Sequence, residues 1–263
     1  MADYALLDNS DTLMYIFYPR KYSTPCPEHA FDLAIPVGSQ ISITCRFYEG
    51  DRRWPWILYF HGNGEVVSEY DVIAPLYHRN ALNLAVADYR GYGTSGGVPT
   101  LTDLIRDAHT LFKGMKEELS RRGARQDLWV MGRSLGSISA LELAYSYPDQ
   151  LRGLIIESGF PSVVSIIEHL GIPAEGVDLR AIHQECLKRI ETISLPALII
   201  HGERDTLVPL PEARTIHDHL GSPTKELLVI PAASHNDILY VGIEPYFDAL
   251  QKFVEKTDPS KKK

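Results

Sequence analysis

The sequence predicts an α/β fold in which a mostly parallel central sheet is covered by helices on both faces. Three observations predict it. From about Ile41 onward, short β-rich apolar runs alternate with longer amphipathic segments. Several of those runs are apolar at nearly every position, as strands buried on both faces must be. The chain has 263 residues, 44% of them hydrophobic and 23% charged, which is enough to bury one large core. We therefore expect a single domain over residues 1–263, with a small cap inserted at about 159–194.

Taken in order, residues through about Pro27 carry many Tyr and Pro, show no clean period and are expected to strap along the sheet edge. Strands are expected at Ile41 to Tyr48, Trp56 to His61, Leu84 to Asp88, Leu128 to Gly132, Leu151 to Glu157, Pro196 to His201 and Leu227 to Pro231. Helices are expected at Glu65 to Arg79, Leu101 to Arg122, Leu135 to Tyr147, Pro211 to Leu220 and Pro245 to Lys256, each between two strands as right-handed crossovers require. Gly159 to Ser194 is longer than one crossover needs. Its Ser165 to Leu170 and Leu179 to Ile190 pieces read as two helices joined by Gly171-Ile172-Pro173-Ala174-Glu175-Gly176, the makings of a cap.

A formal net charge of −8 disfavours a phosphate backbone as partner, so nucleic acid is not expected. Three widely spaced cysteines, Cys26, Cys45 and Cys186, form neither a metal-binding pattern nor a disulfide framework. No metal or cofactor is expected. The N-terminus lacks the charged and apolar regions of a secretory signal, and no stretch is long and apolar enough to span a bilayer. These features point to a soluble protein in a reducing cytoplasm. Lys261-Lys262-Lys263 reads as a solvated tail.

The chemistry centres on Gly132-Arg133-Ser134-Leu135-Gly136, which directly follows the strand-like Leu128 to Met131 and opens a helix. A serine hydroxyl is a poor nucleophile at neutral pH. It needs a base to take its proton, a group to orient that base, and donors for the oxyanion. Small residues around Ser134 permit a sharp strand-to-helix turn that exposes its hydroxyl. His61-Gly62-Asn63-Gly64 leaves an earlier strand, and the expected oxyanion donors are the backbone N–H groups of Asn63 and Leu135. Asp205 and His235 each follow a later strand, giving the chain order Ser, Asp, His. His235 is expected to serve as general base and acid, and Asp205 to orient it. Glu203 and Glu157 are rivals for the acid role. His61 and His201 are expected to hydrogen-bond within their turns, while His217 and His219 are expected to be solvated on a helix.

These motifs, together with Asp88-Tyr89-Arg90-Gly91-Tyr92-Gly93-Thr94-Ser95-Gly96-Gly97, resemble the α/β-hydrolase superfamily, specifically its lipase-like and peptidase-like branch of Bem46 and ABHD13/17-like proteins. The resemblance covers about Ile41 to Val254. It implies the α/β-hydrolase fold and cofactor-free hydrolysis of an ester or thioester bond in a small to medium acyl substrate through an acyl-enzyme. A serine peptidase or amidase is the alternative, and a non-catalytic binding protein of the same fold is a third. Dehalogenase and epoxide hydrolase chemistry would need an Asp where Ser134 stands. Arg90 is expected to pair with a neighbouring carboxylate. Arg133 departs from the small or aromatic residues often found beside the nucleophile. It either turns away into a salt bridge or lends positive charge to the pocket mouth.

Overall fold

A strand buried on both faces must alternate its side chains between two cores, and the third strand does so. Trp56, Leu58 and Phe60 enter one apolar cluster, and Ile57 and Tyr59 the other. The computed structural model describes residues 4–8 and 11–261. Its eight strands are β1 (Ala30–Gly38), β2 (Ile41–Tyr48), β3 (Trp56–Phe60), β4 (Asn83–Ala87), β5 (Leu128–Arg133), β6 (Gly153–Glu157), β7 (Ala197–Gly202) and β8 (Lys225–Ile230). They form one sheet in the order β1-β2-β4-β3-β5-β6-β7-β8. Only β2 runs against its neighbours; every pairing from β4 to β8 is parallel.

The helices are α1 (Ala5–Asp8), α2 (Leu13–Ile16), α3 (Ala74–Arg79), α4 (Leu101–Arg121), α5 (Ser137–Ser146), α6 (Val163–His169), α7 (Leu179–Thr192), α8 (Leu210–His219), α9 (Ile238–Val241) and α10 (Ile243–Thr257). Helix α4 buries Leu104, Ile105, Ala108, Leu111, Phe112 and Met115, a stripe at helical spacing, and Thr100 caps it by accepting the Asp103 N–H at 3.0 Å. It packs with α5 and α8 on one face of the sheet; α3 and α10 cover the other.

The expected mostly parallel α/β architecture is present, with four differences. Strand β1 was not expected, although Phe31, Leu33, Ile35 and Val37 alternate as a strand requires. It is an edge strand, where Pro36 is tolerated because its missing N–H faces no partner, and its register shifts between Pro36 and Gly38. The single helix expected over Glu65 to Arg79 is broken into a 3-10 turn, Val67–Val72, and α3. Pro75 explains the break, since it lacks an N–H and crowds the preceding turn, and it is accommodated only in the first turn of a new helix. Helix α10 follows β8 and, unlike the other expected helices, leads to no further strand among the described residues.

The N-terminal segment is the fourth difference. Instead of keeping to the sheet edge, it crosses the loops at the C-terminal ends of the parallel strands. Asp8 accepts the Leu101 and Thr102 N–H groups at the start of α4, at 2.7 and 3.0 Å. Thr12 donates to the Pro173 carbonyl at 2.7 Å, and Lys21 to that of Ser95 at 2.6 Å. The excursion between β6 and β7 contains α6 and α7. At the other end of the chain Lys261 lies 2.8 Å from Glu255, while Lys262 and Lys263 fall outside the described residues.

Candidate active site

Strand β5 turns into α5 through a 3-10 turn, Ser134–Gly136, with Ser134 held at φ +50°. A non-glycine residue in that region costs on the order of 1–3 kcal/mol, a strain the surroundings must hold in place. Both flanking glycines are required by close approach. A Cβ on Gly132 would collide with the backbone of Gly136, and one on Gly136 with the carbonyl of Phe60 at the end of β3. The motif therefore lets two strand ends and a helix start meet in one place.

Asp205 sits three residues past β7, and His235 follows β8. The His235 ring bridges the other two residues. Nδ1 lies 2.7 Å from Asp205 Oδ2 and Nε2 lies 3.1 Å from Ser134 Oγ. All three side chains are buried. Burial alone would raise the Asp205 pKa, but the hydrogen bond and charge of His235 and the Val208 N–H outweigh it, so the carboxyl is held below the usual carboxylate range. An ionised Asp205 can only accept, so it fixes the proton on Nδ1. The Nε2 lone pair of the neutral ring is then aimed at the Ser134 hydroxyl. The Leu207 and Val208 N–H groups hold Asp205 Oδ1 at 3.0 and 2.8 Å.

The rival carboxylates lie elsewhere. Glu203 is exposed and accepts the Ala232 N–H. Glu157, at the end of β6, accepts hydrogen bonds from Tyr246 at 2.7 Å and Tyr59 at 3.3 Å and pairs with Arg133. His61 hydrogen-bonds the Gly62 carbonyl within its turn and, outside that turn, Asp88 just past β4, and His201 donates to the Val208 carbonyl at 2.8 Å. Burial pushes the His201 pKa down, keeping the ring neutral beside Asp205. Arg90 pairs with Asp107 and Asp103, as expected of a structural arginine.

Asn63 and Leu135 are the residues expected to supply the oxyanion donors to Ser134. Leu135 is its chain neighbour, and Asn63 follows β3, whose end Gly136 touches. Among the described residues the Asn63 backbone N–H has no hydrogen-bond acceptor. The Asn63 side chain is fully engaged elsewhere. Its Oδ1 accepts from the Tyr18 N–H at 2.8 Å and the Tyr92 hydroxyl at 2.6 Å, and its Nδ2 donates to the Ile16 carbonyl at 2.8 Å. Sequence reasoning did not foresee the part played by Ile16 and Tyr18, because nothing local couples them to a turn 45 residues away. Glu65 was also missed, although its spacing from Gly62, whose N–H it accepts at 2.9 Å, is that of a helix-entry cap. Among the described residues no group of His, Cys, Asp or Glu could hold a metal ion, and no helix is long and apolar enough to cross a membrane.

Comparison with known proteins agrees with this architecture. The family model described as serine aminopeptidase, S33, matches residues 55–170 and 171–239. Protein bem46 of Schizosaccharomyces pombe is 28% identical over 209 residues, covering 78% of this chain and 68% of its own. The α/β hydrolase domain-containing protein WAV2 of Arabidopsis thaliana is 26% identical over 227 residues, covering 80% and 73%. Among solved structures, the Pyrococcus furiosus esterase Pf2001 superposes with a TM-score of 0.73 at 17% identity, covering 90% of this chain and 98% of that one. A monoacylglycerol lipase from Paleococcus ferrophilus superposes with a TM-score of 0.64 at 17% identity, covering 84% and 100%. The sheet order, the helices on both faces and the matched family model converge on one assignment: the chain is an α/β hydrolase and belongs to the serine aminopeptidase S33 family.

Proposed function

We propose that this hydrolase is a serine esterase or thioesterase that cleaves an acyl bond through an acyl-enzyme on Ser134. The observation that carries the proposal is the continuous chain of hydrogen bonds from Asp205 through His235 to the Ser134 hydroxyl. In this reading His235 Nε2 takes the Ser134 proton as Oγ attacks the acyl carbonyl, then returns it to the leaving oxygen or sulfur. Water, deprotonated by the same nitrogen, attacks the acyl-enzyme and releases Ser134. The backbone N–H groups of Asn63 and Leu135 receive the negative charge that develops on the carbonyl oxygen.

Helices α6 and α7 act as the cap. His169 at the end of α6 bonds the Thr206 carbonyl at 3.0 Å, which ties that cap to the loop carrying Asp205. The N-terminal strap exposes Met14 and Tyr18, and the end of α6 and the loop after β7 expose Leu170 and Leu207, apolar surface suited to an acyl chain. The esterase and lipase activities named for the structural neighbours agree with ester cleavage, whereas the family description names an aminopeptidase. Both use the same three residues. Ser134→Ala is expected to abolish p-nitrophenyl ester hydrolysis and fluorophosphonate labelling while circular dichroism and Tm are retained; labelling that survives in that variant refutes the assignment. Parallel rates on p-nitrophenyl esters and aminoacyl-arylamides decide between ester and amide.

A further inference from the structure

We infer that Arg133 is a positioning residue that aligns the His235 loop and the Asn63 turn on Ser134, an inference that rests on the reading of Ser134 as nucleophile. The structure resolves the two placements open to Arg133 by the sequence. The side chain turns back beneath the site and is almost wholly buried. There its guanidinium reaches three separate parts of the site. Nη2 donates to the His235 carbonyl and to Asn236 Oδ1, both at 2.8 Å. Nη1 bonds Glu65, whose other oxygen accepts the Gly62 N–H at 2.9 Å and so governs the turn that presents Asn63. Nε donates at 3.1 Å to Glu157, which is itself anchored in the sheet by Tyr246 and Tyr59.

The physical argument is one of geometry. Ser134 is joined to Arg133 by a single peptide bond, yet the loops that must face it come from β8 and β3, 102 and 68 residues away for the contacts of Arg133 itself. A planar fork with five donors can bond several acceptors at fixed relative angles; an ammonium cannot. Burial disfavours the charged guanidinium, but Glu65 and Glu157 outweigh that, and the Arg133 pKa is raised. Glu65 is in turn held below its ordinary range. Burial would raise it, and the charge of Arg133 overcomes that. Within this clamp each partner thus favours the ionised form of the other. Beside it lies a cavity of about 170 Å³ lined by Glu65, Arg133, Glu157, His235 and Asn236, among others, so a small cation can reach the position of the guanidinium.

The test uses the whole 263-residue chain and fluorophosphonate labelling, which needs Ser134, His235 and the oxyanion donors but no acyl pocket. Arg133→Gln is expected to slow labelling and lower kcat for p-nitrophenyl acetate by about 100-fold, the scale of a misplacement of about 1 Å, with KM unchanged. Arg133→Lys, which keeps the charge and loses the fork, is expected to recover only part of the rate. Arg133→Ala is expected to regain activity saturably with added guanidinium but not with ammonium, at constant Tm. A merely structural role would lower Tm and leave the folded fraction with its ordinary kcat. Should Arg133→Gln fail to fold, Asn236→Ala and Glu65→Gln each remove one arm of the clamp and are expected to slow labelling by about 10-fold. Folded variants labelled at the wild-type rate overturn the inference, provided wild type is labelled and Ser134→Ala is not; an unlabelled wild type, or a labelled Ser134→Ala, overturns the nucleophile reading instead.

Discussion

The two sides of Ser134 are held by different forces. On the base side, charge does the holding. Asp205 bonds the His235 ring, and Arg133, paired with Glu65 and Glu157, bonds the loop that carries it. On the oxyanion side the contacts of the Asn63 side chain are neutral. Asn63 is held by the backbone of Ile16 and Tyr18 and by the Tyr92 hydroxyl. The difference teaches that the base loop is positioned by charged groups at the sheet ends, whereas the oxyanion turn shares only the Glu65 arm of that set and is otherwise positioned by a strap from the other end of the chain. Damage to the two sides should therefore look different.

The largest effect expected on the base side is that of Asp205→Asn. The substitution preserves shape but allows the imidazole the wrong tautomer, and it is expected to lower kcat about 10⁴-fold, close to the loss seen when such a carboxylate is neutralised in other triads. Measured loss confined to KM would contradict the orienting role. On the oxyanion side, Asn63→Ala leaves its backbone N–H in place and removes three side-chain hydrogen bonds. About a 10-fold loss in kcat is expected, smaller than deletion of a donor itself, and limited proteolysis should then cut the freed N-terminal strap before β1. If cleavage is no faster than in wild type, the strap is held by its other contacts. The smallest effect is on stability in acid. The Asp205 and Glu65 carboxyls titrate below their ordinary range in the folded chain, so each contributes stability above its unfolded pKa of about 4 that is lost as pH falls through the folded value. Denaturation scans between neutral pH and about pH 3 should show that loss. Asn63→Ala should share it in full, because the Asn63 side chain makes only neutral contacts, whereas Glu65→Gln should flatten it.

The same contrast explains what could be read in advance. Strands β3 to β8 are marked by near-continuous apolar runs, and Ser134, Asp205 and His235 by their position just past three of them. Strand β1 alternates with half-exposed residues and contains Pro36, so its pattern is weak by comparison. The N-terminal segment has no period at all. Its course is dictated by which loop carbonyls and N–H groups it satisfies, and those are assembled only when the sheet is complete. Arg133 shows the limit most clearly: its type and its neighbour were evident, but its direction was not, because Glu65, Glu157 and Asn236 are brought to it by three different strands.

By itself, then, the amino-acid order determined the alternation of strands and helices, the sharp turn at Ser134 and the identity of the three residues that meet there, because periodicity, glycine placement and turn chemistry act over a few neighbouring residues. Tertiary structure alone decided the distances between those residues, the burial of the charges around Arg133 and the route of the N-terminal strap. Each depends on strand order and loop packing between residues 24 to 161 positions apart, separations across which no local preference of the chain can act.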